Sequence, residues 1–309
     1  MPAPKISVLV PVFNGEAFLA EALDSILAQD FSDYEILVSD DCSTDGTAGI
    51  IEAFAAREPR IRWWRNPVNL GLTQNHNACL REARGDYIKF IHADDLLLQP
   101  AALRRMAQVL DEDATVSLVA SGAQIIDAES RVLRVQNSLP KTGVCDGLAV
   151  LVQCLEQNGN IIGEPTRTLF RSRQARRGFD ERYRQTCDLE MWFHLLEQGR
   201  FAYLAEPLFA YRIHPQQQTA QDRRTRASVD EHLWLAQTYF TRPWLAEHAT
   251  RRMWFKQIYQ LRKRYGPRAA GLTTEMLARL NRFWFALFWL EHKISRPLEK
   301  ITRLIRLCT

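Results

Sequence analysis

Residues 5–11, KISVLVP, form a short apolar, β-branched run followed directly by Val12-Phe13-Asn14-Gly15. Such a run reads as a buried strand that ends in a turn. Beyond it, apolar residues at 18, 19, 22, 23, 26 and 27 recur with a helical period. YEILVS (34–39) is a second strand, and Ser43, Thr44 and Asp45 offer amino-terminal capping chemistry for a helix over about 46–56. A third strand is expected at 61–64 and a helix at 72–83, stopped by Arg84-Gly85-Asp86. YIKFI (87–91) is a fourth strand, followed by a helix over 100–110 and a strand over 116–120. Strands alternating with helices of 10–15 residues predict an α/β fold with a mostly parallel, right-handed twisted sheet flanked by helices. Ligands of such sheets bind at the carboxyl ends of the strands. Those ends carry Val12-Phe13-Asn14, Asp40-Asp41 and His92-Ala93-Asp94-Asp95, which brings one aromatic ring and four carboxylates to one crevice.

Residues 125–215 carry strand-like pieces at 168–171, 201–204 and 208–213 and a helix over 189–198, and from about 223 the pattern is helical. The expected division is a domain over 1–220, with halves over about 1–120 and 121–220, and a helical appendage over 221–309. The 309 residues, 46% hydrophobic and 25% charged, suit a globular chain with a full core and exclude collagen-like and wholly disordered classes. The apolar run 283–290 falls far short of the roughly 20 residues of a spanning helix. The amino terminus has no signal-peptide pattern. Cysteines 42, 79, 145, 154, 187 and 308 form no CxxC or zinc spacing, which suits a reducing cytoplasm. Residues 251–309 hold 14 Lys/Arg against 3 Asp/Glu, whereas 1–250 hold 26 against 33. A basic tail on an acidic body implies an anionic partner surface for the tail.

Adjacent carboxylates at a strand end repel unless a cation or donor relieves them. Asp94-Asp95 therefore reads either as a site for Mg²⁺ or Mn²⁺ bridging a diphosphate or as solvated loop carboxylates, one of them a helix cap. Asp40-Asp41 reads either as an acceptor for a pyrimidine imide N–H beside a ring stacked on Phe13 or as turn chemistry. There is no GxGxxG after the first strand and no GxxxxGK[ST], so dinucleotide and P-loop readings fall away.

PVFNGEAFLAEALDSILAQDFSDYEILVSDDCSTDGT, NLGLTQNHN and ARGDYIKFIHADDLLLQP, in that order, resemble the family 2 glycosyltransferases of GT-A fold. The resemblance is dense over 5–110 and thin to about 215. It implies an inverting transfer from a nucleotide-diphosphate sugar, UDP or dTDP, to a glycan or lipid-linked acceptor in surface polysaccharide synthesis. It also implies that Pro11, Phe13 and Glu16 hold the base, that Asp41 contacts uracil with Asp40 beside it, and that Asp94 serves ribose and metal with Asp95 as its metal-coordinating neighbour. The family's usual triplet is Asp-x-Asp, so His92 departs from it and reads either as a weak metal ligand or, in the favoured reading, only as a hydrogen-bond donor. TCDLEMW resembles the family's Glu-Asp-x-Asp-x-Trp segment, which implies Asp188 as the general base. Asp188 also stands where it could cap the following helix. Cys187 replaces the usual Glu, and Glu190 reads as structural. YRIHP (211–215) resembles a segment near the diphosphate, which makes His214 a candidate phosphate or metal contact. Asn160, Glu164-Pro165-Thr166 and Leu169-Phe170-Arg171 resemble the acceptor-side loop.

In the tail, Leu280, Trp284, Leu287, Ile294, Ile301 and Ile305 form a helical apolar stripe with Arg279, Arg282, Arg296, Lys300, Arg303 and Arg306 mostly off it. Two readings compete. In one, 279–307 docks peripherally on the inner face of the cell membrane. In the other, the helices pack on the protein or in a homo-oligomer. No nucleic-acid partner is expected. A non-catalytic nucleotide-sugar-binding scaffold of the same fold is the alternative to the enzyme.

Overall fold

The computed structural model describes residues 3–157, 159–217, 231–248, 250–280 and 285–290. Strand β1 (Ile6–Val12) has all seven residues buried, as expected where helices cover both faces of a parallel sheet. It pairs in parallel with β2 (Tyr34–Asp40) and β4 (Tyr87–Phe90), and β2 pairs with β3 (Ile61–Arg65). The connecting helices are α1 (Leu19–Leu27), α2 (Thr47–Arg57) and α3 (Leu72–Glu82). After β4 comes the two-residue β5 (Leu96–Leu97) and then α4 (Ala102–Glu112), which buries Leu103, Met106, Ala107 and Leu110. That spacing is the single apolar face of an amphipathic helix.

The rest of the sheet is built from β6 (Val116–Ile126), β7 (Val132–Gln136), β8 (Gly143–Cys145), β9 (Thr168–Arg171) and β10 (Arg200–Arg212). The order is β3-β2-β1-β4-β9-β6-β10-β5, with β7 on β6 and β8 on β10. The sheet is mixed, because β9 runs antiparallel to both neighbours, β4 and β6. The two strand-like pieces at 201–204 and 208–213 are one strand, β10, with register shifts on both sides of Pro207. Proline has no N–H to give the ladder, so the chain bulges there rather than stopping. Helices α5 (Gly147–Gln157) and α6 (Cys187–Leu196) complete this part.

The chain divides into two compact units, Met1–Val150 with Asn160–Glu231, and Leu151–Gly159 with His232–Thr309. The second unit contains α7 (Glu231–Tyr239, from its second residue), α8 (Pro243–His248), α9 (Arg251–Tyr265) and α10 (Ala270–Leu280). Thr250 caps α9 by accepting from the Met253 N–H at 3.0 Å. Met253, Ile258, Leu261, Met276 and Leu280 are buried. Most of the proposed amphipathic stripe, including Trp284, Ile294, Ile301 and Ile305 and the basic positions from Arg282 onward, lies outside the described residues. Leu287, Trp289 and Leu290 are exposed. No helix among the described residues is long and apolar enough to cross a membrane.

Candidate active site at the strand ends

The carboxyl ends of β1 and β2 are sewn together by side chains accepting from backbone amides. Asn14 N–H donates to Ser43 Oγ at 2.9 Å, and Gly15 N–H donates to Thr47 Oγ1 at 2.8 Å. In return, Glu16 accepts from the Gly46 N–H at 2.9 Å. Pro11 is buried beneath this turn. Phe13, at its crest, is 51% exposed, an unusual position for a large ring and a ready face for stacking.

The two aspartates after β2 differ in their freedom. Asp41 accepts from the N–H groups of Leu70 and Gly71 and from Asn66 Nδ2, each at 2.9 Å. It thereby braces the loop that leads into α3. Buried Asp40 accepts from the Ser43 N–H through Oδ1. Its Oδ2 lies 3.6 Å from Arg65 Nε and takes no hydrogen bond.

His92, Asp94 and Asp95 follow β4 and offer ligand atoms that all lie within 4.8 Å of one another. Mg²⁺ and Mn²⁺ take oxygen ligands at about 2.1 Å, which puts opposite ligands about 4.2 Å apart. Two carboxylates and an imidazole at this separation fit such a cation. Asp95 is fully buried, accepting from Thr166 Oγ1 at 2.7 Å and the Arg212 N–H at 3.1 Å. Burial, and then the charge of Asp94, push its pKa well above the usual carboxylate range. A cation would remove that penalty. Burial also works to raise Asp94, but the hydrogen bond from His214 (3.1 Å) and the charge of His92 pull it below its ordinary value. His214 is raised in turn, chiefly by Asp94. His214 is thus the partner of Asp94 in this structure.

Four side chains hold this cluster: Thr166, from the loop assigned to the acceptor side, and three that the sequence does not mark as functional, Arg212, Lys89 and His76. Buried Arg212 donates to the carbonyls of Asp94, Asp127 and Ala128, to Ser130 Oγ and to Glu21. Buried Lys89 donates to the Thr166 carbonyl, and burial lowers its pKa to about 7. Thr166 Oγ1 also accepts from the His92 N–H at 3.1 Å. His76 lies between Phe90 and Phe179, at ring distances of 4.7 and 5.3 Å, and burial pushes it down to about 3. Its Nδ1 is 2.6 Å from the Leu72 carbonyl and must donate to it, so in the neutral ring Nε2 is bare. His92 Nε2, 3.2 Å away, supplies the hydrogen. That leaves the lone pair of neutral His92 on Nδ1, the nitrogen 3.9 Å from Asp95. In this arrangement Nε2 donates to His76, and Nδ1 is left with its lone pair on the carboxylate side.

Asp188 is the second residue of α6 and is half-buried. Its carboxylate accepts from its neighbour Leu189 N–H at 2.7 Å and from Asn160 Nδ2 at 3.0 Å. Burial nonetheless pushes its pKa up to about 7, and the charge of Glu164 adds to the rise. Asn160 also donates to the Gly163 carbonyl, which takes the Trp192 indole N–H at 2.8 Å. The segment from Asn160 to Thr166 thus touches Asp188 at one end and Asp95 at the other. Glu164, between them, acts electrostatically on Asp188, Asp95 and His92 alike. Glu190 faces Arg177 at 2.7 Å and is structural. Cys187 is buried. Among the residues assigned to the acceptor-side loop, Thr166 serves the metal-side carboxylate and buried Arg171 ties α4 to β6 through the carbonyls of Leu110, Asp113 and Val116.

Comparison with known proteins gives this geometry a context. The model of glycosyl transferase family 2 matches residues 7–174. EpsE of Bacillus subtilis, which carries a glycosyltransferase name, is 32% identical over 219 residues, covering 68% of this chain and 73% of that one. The GalNAc(5)-diNAcBac-PP-undecaprenol beta-1,3-glucosyltransferase of Campylobacter jejuni is 39% identical over 110 residues, 35% of either chain. Among solved structures, S. aureus TarS 1–349 in complex with UDP-GlcNAc superposes with a TM-score of 0.63 at 18% identity, covering 89% of this chain and 80% of that one. The mannosyltransferase PcManGT from Pyrobaculum calidifontis, in complex with GDP-Man and Mn²⁺, gives 0.56 at 19% identity, covering 97% and 84%. At these identities the two structures establish likeness of fold, which is that of the GT-A glycosyltransferases.

Proposed function

The chain belongs to glycosyl transferase family 2 and is a transferase, and from that premise we propose that it moves a sugar from a nucleoside-diphosphate sugar to a glycan or lipid-linked acceptor with inversion at the anomeric carbon. The observation that carries this reading is the Asp188 carboxyl, raised to about 7 and held by Asn160 on the segment whose other end, Thr166, holds Asp95. A base is most effective when its pKa lies near the working pH. In the proposed step the acceptor hydroxyl gives its proton to Asp188 as its oxygen bonds to the anomeric carbon. The bond from that carbon to the diphosphate oxygen breaks on the opposite face, and the nucleoside diphosphate departs with the electron pair. A divalent cation, Mg²⁺ or Mn²⁺, held by Asp94, Asp95 and His92 Nδ1 would neutralise charge on that leaving group.

Pro11, Phe13, Glu16 and the Asp40–Asp41 pair form the nucleotide end of the proposed site. Phe13 offers its open face to a pyrimidine, and Asp41, with Asp40 beside it, is the carboxylate assigned to the imide N–H, which supports UDP or dTDP. Solved TarS holds UDP-GlcNAc, and the Campylobacter relative is named for a polyprenyl-diphosphate acceptor. Both support a place in surface polysaccharide synthesis. In this reading the 1–220 domain acts at the inner face of the membrane, and 279–307 brings it there. Asp188→Asn should bind UDP-sugars in a thermal-shift titration with Mn²⁺ as the parent does, yet transfer sugar to acceptor at least about a hundredfold more slowly. Transfer at the parental rate would refute the assignment of the base. Donor binding by the parent without transfer to any acceptor would favour a non-catalytic sugar-nucleotide scaffold.

A further inference from the structure

At the amino-terminal end of β4 the first unit carries a second concavity, of about 940 Å³. Tyr87, the first residue of β4, lines it, whereas His92 follows the far end of the same strand. Five residues at about 3.3 Å each put roughly 16 Å between the two places. The walls come from the end of α3 with its following turn and from the segment between β9 and α6. They carry six arginines, 81, 84, 171, 173, 176 and 177, in a region of chain that is otherwise net acidic.

Two of the six are occupied. Arg171 spends its guanidinium on three backbone carbonyls, and Arg177 pairs with Glu190 at 2.7 Å. Arg81, Arg84, Arg173 and Arg176 are exposed, and none makes an ion pair or side-chain hydrogen bond with any described residue. Two acidic side chains share the lining. Glu181 accepts from Gln74 and Asn77, and with Asp86 it sets two negative charges in the lining against four unpaired guanidiniums. Like charges gathered around one concavity repel each other, and the concave shape focuses their field on an incoming anion. Guanidinium forks match phosphate oxygens in pairs. The volume exceeds what one inorganic phosphate fills and lies in the range of small-ligand sites.

We propose that this arginine-lined cavity binds a polyphosphate or phosphate-ester group, independently of the sugar-nucleotide site. The phosphate can come from a soluble polyphosphate or from a phospholipid headgroup, and the test separates the two. Sodium tripolyphosphate is titrated calorimetrically into the full chain at about 0.15 M salt, where distant surface charges are screened. In parallel, the chain is sedimented with phosphatidylglycerol–phosphatidylcholine vesicles. Binding of tripolyphosphate alone assigns a soluble ligand. Binding to vesicles, with release by tripolyphosphate, assigns a headgroup. In either case Arg81→Glu/Arg84→Glu and Arg173→Glu/Arg176→Glu should each lower affinity at least tenfold, while Asp94→Asn leaves it unchanged. If a charge-reversed pair does not melt like its parent, Arg173→Gln/Arg176→Gln replaces it, since both side chains are exposed. Failure of the parent to bind either probe, or undiminished binding by the arginine variants, overturns the proposal.

Discussion

The pKa of Asp188 makes two measurements answer one question. An ordinary aspartate titrates at 3.8, and this one is pushed to about 7, chiefly by burial. At 1.36 kcal/mol per pH unit the gap is about 4 kcal/mol against the ionised form, an upper bound for a half-buried group that water partly screens. The sign follows from proton linkage. Below pH 3.8 both folded and unfolded chains hold the proton. Between 3.8 and 7 only the folded chain does, so stability falls as pH rises through that window, and above 7 the whole cost stands. Asp188→Asn removes the cost while keeping an oxygen for Asn160. The variant should therefore melt with the parent near pH 4 and several degrees above it at pH 8, since 1 kcal/mol moves the melting point about 2–4 °C in a domain of this size. The same carboxyl must be ionised to accept a proton, so kcat/KM of the parent should rise about tenfold per pH unit up to about 7 and then level off. Asp188→Asn should lose about 10²–10⁴-fold in kcat. A flat kcat/KM from about pH 5.5 to 8.5, together with coincident melting of variant and parent at pH 8, would refute the reasoning.

Three further perturbations test the supports of the site. His76→Phe keeps the buried ring but removes the acceptor for His92 Nε2–H, so Mn²⁺ affinity followed by electron paramagnetic resonance should fall about 10–100-fold, as for other lost ligand-orienting partners; unchanged affinity would show that His92 needs no such partner. Arg212→Leu leaves the Asp94 and Ala128 carbonyls without a donor and takes one of two donors from the Asp127 carbonyl and from Glu21, so urea unfolding should show a loss of about 1–3 kcal/mol, and Arg212→Lys should recover only part of it because an ammonium cannot reproduce the fork. Gly163→Ala must place a Cβ 2.2 Å from Arg167 Cδ, at a φ of +111°; strain and overpacking together should cost at least about 2 kcal/mol in denaturant unfolding.

What could be read from the chain and what could not divide along a physical line. Strands β1, β2, β4 and the start of β6 announce themselves by apolar runs and turns, because each is buried on both faces and needs no partner to be recognised. Asp94, Asp95 and Asp188 stand out only through the motifs that carry them, because carboxylates at strand and helix ends also serve as turn and cap residues. By contrast, β7 presents Val132, Leu133 and Val135 to solvent at 55% exposure each, so it lacks the alternation that marks a half-buried strand. β9 could not be placed antiparallel from its own residues, since direction is set by its neighbours. Arg212, Lys89 and His76 were illegible as site residues for a related reason. Their roles are set by partners remote in sequence: Arg212 reaches back to Asp94 and Glu21, Lys89 to Thr166, and His76 to His92. A lone buried base in a sequence looks the same whether it holds a site or fills a core.

The segment between α5 and β9 explains how these separate parts act as one. Asn160 at its start fixes the carboxylate of Asp188, and Thr166 near its end fixes Asp95 and the backbone of His92. Between them Gly163 turns with a positive φ, its carbonyl pinned by both Asn160 and Trp192. Asp188, the proposed proton acceptor, and Asp95, on the proposed metal side, are thus held by one short stretch that packs against buried Trp192 and carries buried Arg167 at its end. In an inverting displacement the attacking and leaving oxygens must lie in line across the anomeric carbon, and misplacement by an ångström is costly. A single rigid spacer between the groups that serve those two oxygens meets this demand more simply than two loops adjusted independently. Glu164, carried at the middle of the spacer, adds its charge to both ends, raising Asp188 and Asp95 alike.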